Sequence, residues 1–349
     1  MTMSEKGPEI IMGARIVIDT LGGDNGAKAC VEGAVEGLAA NPDVELILTG
    51  KKREIEELLK EYEYDKKRIR IIHCSEEITC HESPVEAVRK KTDSSMVVGL
   101  RQLKEGNADA FISAGSSGAV LAGGQFIVGR AKGVKRAPLA PLIPTSKGLS
   151  LLIDCGANVD AKPEVLVQFA RMGSIYMQNI MGVKKPRVAI VNIGAEEEKG
   201  NALVKSTYPL LKECKDIHFI GSIESRDIPF GKADVILTEA FVGNVILKLY
   251  EGLSKMILKE IKSSIKSSAK SKIGGLLIKK SLKKTVGAFN ASDKGGAPLL
   301  GLKGLVVKVH GNAKKDEIAS AVRQCKTFID ADVSGKIIAG LAEEGVVTE

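Results

Sequence analysis

Four short apolar runs in this chain each stop at a glycine-rich polar turn, within 112–118, 152–158, 188–201 and 235–244. Between them apolar residues recur three or four apart, the spacing of a helix that buries one face. Such alternation folds as parallel strands joined by helices, because a parallel pair cannot be closed by a tight hairpin. The turns then fall at the carboxyl ends of the strands, where backbone N–H groups and polar tips converge on an anionic ligand. The pattern predicts an enzyme organised round a small anion, with phosphate the first candidate.

Strands are predicted over 15–19, 44–49, 69–73, 110–113, 139–143, 149–154, 188–192, 218–220, 235–238 and 305–309, and helices over 27–40, 54–62, 96–105, 163–181 and 203–212. The expected fold is a three-layer αβα body with a mostly parallel sheet. The chain has 349 residues, 44% of them apolar, enough for a full core. No Pro/Gly/Ser linker and no fixed-period repeat divides it. Residues 1–14 are expected to be a flexible leader, and residues 15–349 a single α/β catalytic domain whose two lobes flank a cleft. Nothing approaches the roughly 18 consecutive apolar residues of a spanning helix, and the start lacks a secretory layout. A soluble, cytoplasmic protein is expected.

Six cysteines are scattered without a C-x-x-C pair or metal-ligand spacing, which suits reduced, buried thiols. Cys155 lies inside a glycine turn and reads either as a nucleophile or as a small residue packed beneath the loop. The net charge of +8 is unevenly placed: 255–284 holds ten lysines against one acid, Glu260. Within it Met256, Ile257, Ile261 and Ile265 form a helical apolar stripe, and Gly274-Gly275 precede the bare patch Leu276-Leu277-Ile278. Residues 255–287 are therefore expected to protrude as a basic helical segment facing a membrane or a partner. The absence of tryptophan removes an obvious platform for stacking bases, leaving a basic nucleic-acid binder as the alternative of another class.

The first turn, Asp19-Thr20-Leu21-Gly22-Gly23-Asp24, follows a strand and precedes a helix. Its adjacent glycines depart from G-x-G-x-x-G, and the second strand ends without an acid, so nicotinamide binding is disfavoured. Asp24 either belongs to a binding turn or caps the helix. Arg89, Lys90 and Lys91, followed by Ser94 and Ser95, offer cations beside hydroxyls for a phosphate, or else a solvated helix face. Gly115-Ser116-Ser117-Gly118-Ala119 is the stronger phosphate candidate, since small residues open a helix there. It lacks the Gly-Lys-Ser/Thr of a Walker A loop. Glu196-Glu197-Glu198 could suggest magnesium, but three successive carboxylates cannot all face inward; Lys199, before Gly200, is better placed to reach in as a point charge. Asn244 either offers its NH2 to a developing oxyanion or caps a helix. His310, after the last strand, stands near a strand end, with a structural role favoured.

In this order the pieces resemble the bacterial PlsX family of acyl-ACP:phosphate acyltransferases. The resemblance runs over 16–310 and rests on 19–24, 84–95, 113–119, Val128-Gly129-Arg130, 194–201, Gly243-Asn244 and above all the block 154–163, Asp154-Cys155-Gly156-Ala157-Asn158-Val159-Asp160-Ala161-Lys162-Pro163. Two positions depart from the family pattern. Leu21 stands where methionine is usual, and Ser116-Ser117 replace Asn-Thr, which removes a side-chain amide but leaves the backbone donors.

The resemblance implies a fold like isocitrate and isopropylmalate dehydrogenases and phosphotransacetylase, a homodimer, and peripheral attachment to an anionic membrane surface. It implies transfer of a long-chain acyl group from acyl carrier protein to inorganic phosphate, feeding phospholipid synthesis, without cofactor or metal. Lys199 and Asn244 correspond to the family's essential lysine and asparagine. Phosphate or substrate contacts are expected from Asp19, Gly22, Gly23, Asp24, Arg89, Lys90, Gly115, Ser116, Ser117, Gly118, Asp154 and Asn158. Membrane or carrier contacts are expected from Leu276, Leu277, Ile278, Lys279 and Lys280. Phosphate is itself the nucleophile, so no Ser-His-Asp triad is required. A phosphotransacetylase-like enzyme acting on acyl-CoA is the nearest rival.

Overall fold

The structure, a computed structural model, describes residues 13–288 and 295–342, with the side chains of 283–288 and 342 outside that description; most of the expected leader, residues 1–12, lies outside it too. Strands β1 (Ala14–Asp19), β2 (Val44–Gly50) and β3 (Ile69–His73) run parallel, crossed by α1 (Gly26–Ala40) and α2 (Lys52–Leu59). Through α3 (Pro84–Lys90) and α4 (Ser95–Lys104) the chain reaches β4 (Ala110–Ser113), on the other side of β1. Much later, β10 (Ala297–Leu299) and β11 (Leu305–Lys308) complete a sheet of order β10-β11-β4-β1-β2-β3, antiparallel only at β10.

A second sheet is built from the middle of the chain. After α5 (Ser117–Gly123) come β5 (Leu142–Thr145), β6 (Gly148–Ile153), β7 (Arg187–Asn192), β8 (His218–Glu224) and β9 (Val235–Leu237), in the order β5-β6-β9-β7-β8. Helices α6 (Pro163–Asn179) and α7 (Ala202–Glu213) cross over between its parallel strands. The C-terminal helices are α8 (Ala240–Lys266), α9 (Ala269–Ala288), α10 (Lys315–Asp330) and α11 (Val333–Ala342).

The parallel strands read as unbroken apolar runs because both of their faces are covered. Ile16, Ile18, Ile112, Ile153, Ile190 and Val235 share one core, while Val17, Phe111, Val306, Leu152, Ala189 and Ile236 share the other. Each apolar layer thus continues from one sheet to the next. The expected parallel strands with helices on both faces are present, shared between two sheets. The predicted strand over 139–143 is interrupted at Pro141, which has no N–H to pair. Leu139 makes only an isolated bridge to Leu299, and β5 begins at Leu142. Hydrogen bonds from Ala140 N to Pro298 O and from Leu300 N to Pro138 O, both 3.1 Å, stitch this interruption to β10 and so join the sheets.

The basic segment is a pair of helices. Gly274 and Gly275 lie inside α9, and the helix is interrupted earlier, at residues 267–268 between α8 and α9. A Cβ on Gly275 would stand 2.4 Å from Ile265 Cγ2, so the glycine lets α9 lie against α8. Met256, Ile257, Ile261, Ile265 and Ile278 line the groove between them. No helix among the described residues is long and apolar enough to cross a membrane.

Candidate active site at the strand tips

Strand order reverses between β1 and β4, and the loops after such a reversal, at the carboxyl ends of the strands, are where open α/β sheets receive ligands; we call this region the crevice. Asp19, buried at the tip of β1, accepts hydrogen bonds from Ser95 Oγ (2.5 Å), Ser113 Oγ (2.7 Å) and the N–H groups of Leu21 and Gly22 (both 3.2 Å). Burial pushes its pKa up, against the pull of those donors. Its oxygens are occupied in gathering three segments. Asp19 therefore shapes the crevice from below.

The glycines follow from that crowding. A Cβ on Gly22 would lie 2.6 Å from Gly115 N, and one on Gly23 2.7 Å from both Ala114 Cβ and Gly311 O, at a φ of +90°. Asp24 donates its N–H to Gly311 O at 2.7 Å and does not cap α1, whose N-cap is Asn25. Across the crevice, Gly115 N donates to Ser113 Oγ at 3.0 Å. Ser116 is the N-cap of α5 with no side-chain capping bond, so the first-turn N–H groups of Ser117, Gly118 and Ala119 lack an intrahelical acceptor. Gly118 also serves packing, because a Cβ there would meet Pro84 Cγ at 2.6 Å.

Asp154 repeats the arrangement at the tip of β6. Oδ1 accepts from the N–H groups of Leu139 (2.9 Å), Gly156 (3.3 Å) and Ala157 (3.2 Å), and Oδ2 from Asn158 N (2.8 Å) and Nδ2 (2.7 Å). Asn158 Nδ2 also reaches Ala137 O at 3.0 Å. Both residues are buried, and desolvation raises the Asp154 pKa. This block holds a turn in shape. Cys155 is buried within it, and desolvation pushes its thiol well up, leaving no thiolate for nucleophilic chemistry.

The turn is the seat of α8. Glu239 caps that helix, accepting from Phe241 N (2.6 Å) and Val242 N (2.9 Å), so Asn244 is not the cap. Gly243 rests directly on the Asp154–Cys155 backbone, where a Cβ would fall 1.9 Å from Asp154 O. Asn244 follows on the exposed side of the helix, and its amide makes no hydrogen bond among the described residues. One turn on, Lys248 meets Glu251 at 3.2 Å, and Glu251 also faces His310 Nε2 at 3.4 Å. A helix rooted in the second sheet thereby leans over the tip of β11 in the first.

Lys199 stands after β7, beside β9 in the same sheet. Its ammonium is half-exposed and pairs with Glu196 at 2.9 Å, which raises its pKa. Glu197 turns away to Lys212 at 3.0 Å. Asn192 Nδ2 holds the Lys199 carbonyl at 3.1 Å, fixing the loop. Lys199 and Asn244 thus occupy the carboxyl end of one sheet on adjacent connections.

The cluster at 89–95 is not brought together. Arg89 lies over the Phe126 ring, 5.6 Å from its centroid, Lys90 pairs with Glu86 at 3.1 Å, and Lys91 pairs with Glu82 at 2.7 Å. Ser94 caps α4 while Ser95 serves Asp19. Sequence reasoning missed Lys308, which closes β11 inside the crevice at 8% exposure. Its only trace in the sequence is one lysine in the otherwise apolar run Leu305-Val306-Val307-Lys308-Val309.

A family model described as "Fatty acid synthesis protein" matches residues 14–336. A phosphate acyltransferase from Alkaliphilus oremlandii is 49% identical over 331 residues, 95% of this chain and 98% of that one. A phosphate acyltransferase from Clostridium perfringens is 46% identical over 323 residues, covering 93% and 95%. Among solved structures, a phosphotransacetylase from Streptococcus pyogenes superposes with a TM-score of 0.60 at 18% identity, covering 91% of this chain and 94% of that one. A branched-chain phosphotransacylase from Enterococcus faecalis gives 0.54 at 13%, covering 90% and 99%. These two share its fold. Matched over nearly its whole body, the chain belongs to the fatty acid synthesis protein family, the PlsX family, whose curated relatives are phosphate acyltransferases.

Proposed function

We propose that this phosphate acyltransferase of fatty acid and phospholipid synthesis takes its acyl group from acyl carrier protein, and that Lys199 and Asn244 carry the reaction. The observation behind the residue roles is the seating of α8: Gly243 on the Asp154 backbone holds the uncommitted Asn244 amide beside the strand tips. Phosphate would be received by the N–H groups opening α5 and by Lys199, which releases Glu196 to do so; an exposed pair of that kind is held weakly. One phosphate oxygen attacks the thioester carbonyl, the carbonyl oxygen gains charge, and Asn244 donates to it. The tetrahedral adduct collapses with loss of the thiolate, whose ordinary pKa of about 8.5 makes it a competent leaving group.

The basic helical pair supplies a second part of the reading. Leu276 and Leu277 are 70% and 80% exposed, and α8 carries exposed Leu249, Leu253 and Met256. Lysines flank this apolar surface, a combination suited to an anionic bilayer, against which the enzyme would take or release its lipidic product. A dimer that buries these leucines is the other outcome. Phosphate-dependent release of free thiol, compared between a long-chain acyl carrier protein and the matching acyl-CoA, tests the carrier. Equal or greater turnover of the CoA thioester would overturn it.

A further inference from the structure

We infer that Lys308 is a phosphate-binding residue, the buried cation against which the substrate anion is seated at the tips of β1, β4 and β11. The inference rests on reading this crevice as the phosphate site. Lys308 Nζ has three N–H donors. One goes to Ala114 O at 3.3 Å and one to Val309 O, while the third has no acceptor among the described residues. No carboxylate forms an ion pair with it among those residues, although the side chain is more than nine-tenths buried. A buried charge without a counter-ion is costly, and a strand end with this one would be better built from leucine unless an anion completes it.

The carbonyl it holds, Ala114 O, immediately precedes the Gly115–Gly118 loop, so Lys308 and the first N–H groups of α5 lie on adjoining backbone. The ionisable groups acting on it are Asp19 and Asp24 from the β1 loop, Cys80 from the loop before α3, and Lys248 from α8. Asp19 is committed to four donors, and Lys248 adds positive charge from across the cleft. Desolvation by burial lowers the Lys308 pKa to about 8. Phosphate binding should therefore weaken as pH rises through about 8 and the ammonium is lost, while bound phosphate holds the proton on, so kcat at saturating phosphate should change little.

Inorganic phosphate binding is measured by titration calorimetry, and thioester turnover separately with phosphate varied from pH 7 to 9.5, for wild type, Lys308→Met and Lys308→Arg. Methionine should weaken phosphate binding and raise its KM by at least about tenfold, the worth of one charge-assisted contact, and abolish the pH dependence, with KM for the thioester unchanged. Arginine, charged throughout the range, should retain binding at pH 9.5. Loss of a buried charge should leave Tm equal or higher without phosphate, whereas a structural role predicts a fall. Wild-type phosphate affinity in the methionine variant, or no phosphate binding by wild type, overturns the assignment of Lys308. Phosphate binding that depends on Lys308 without turnover of any thioester would sink the acyl-transfer reading and leave this one standing.

Discussion

Replacing Gly243 by alanine tests whether the seating of α8 sets the reaction geometry. The new Cβ would lie 1.9 Å from Asp154 O, 2.9 Å from its carbonyl carbon and 3.0 Å from Cys155 Cα, all of them backbone atoms. Restoring an ordinary separation near 3.5 Å requires the helix start to retreat by about 1.5 Å. The Asp154 turn cannot yield in its place, because its carboxylate ties down Leu139, Gly156, Ala157 and Asn158. Overpacking of this kind costs about 1–3 kcal/mol, a fall of a few degrees in Tm. Displacing Asn244 by an ångström or more should lower kcat about a hundredfold. The three atoms nearest that Cβ all belong to the Asp154–Cys155 turn and none to the loops after β1 and β4, so KM for phosphate should hold. Steady-state kinetics with phosphate and thioester varied in turn, together with thermal unfolding, read these effects. A stable variant with near-normal kcat, or one that loses only phosphate affinity, would refute the reasoning.

Asn244→Ala should cost about 3 kcal/mol of transition-state stabilisation, roughly a hundredfold in kcat, with Tm unchanged because the amide has no partner to lose. Lys199→Ala should lower kcat/KM for phosphate at least about tenfold, again without a change in Tm, since its exposed pair with Glu196 contributes little to stability. Asp154→Ala strands several N–H donors in a buried turn and should destabilise by about 3 kcal/mol or more in chemical denaturation, whereas a loss below about 1 kcal/mol would show the turn holds without it. Leu277→Glu should release the protein from sedimented anionic vesicles while leaving activity on a dissolved thioester intact; unchanged sedimentation would remove this surface as the anchor.

Most of the fold was legible in the chain itself. Strands such as 15–19 and 110–113, buried on both faces, are short unbroken apolar runs, and helix 27–40 buries one side while 163–181 is long and apolar enough to read as a buried helix, so local pattern was enough to order them. The turns that end the strands were visible as glycine-rich segments, and Lys199 and Asn244 stood out within them. Three features were not legible. β10 is three residues long and contains Pro298, too little for a period to register. The bridge through 138–140 depends on pairing with a strand some 160 residues away, and the packing of Gly275 on Ile265 depends on how two helices fold back.

Residue types and their local spacing determined that this chain makes parallel strands with polar tips, and which turns carry cations, amides and glycines. Tertiary structure decided how those groups divide their work. Asp19 and Asp154 are as polar in sequence as any ligand, yet burial and convergent N–H donors commit them to holding loops. Arg89 and Lys90 are as cationic as Lys199, yet one covers an aromatic ring and the other answers a glutamate one turn away. Lys308 looks like a strand-end lysine until three strands and a helix close round it. Burial and counter-charge are properties of what packs nearby, supplied by segments remote in the chain, and no local pattern encodes them.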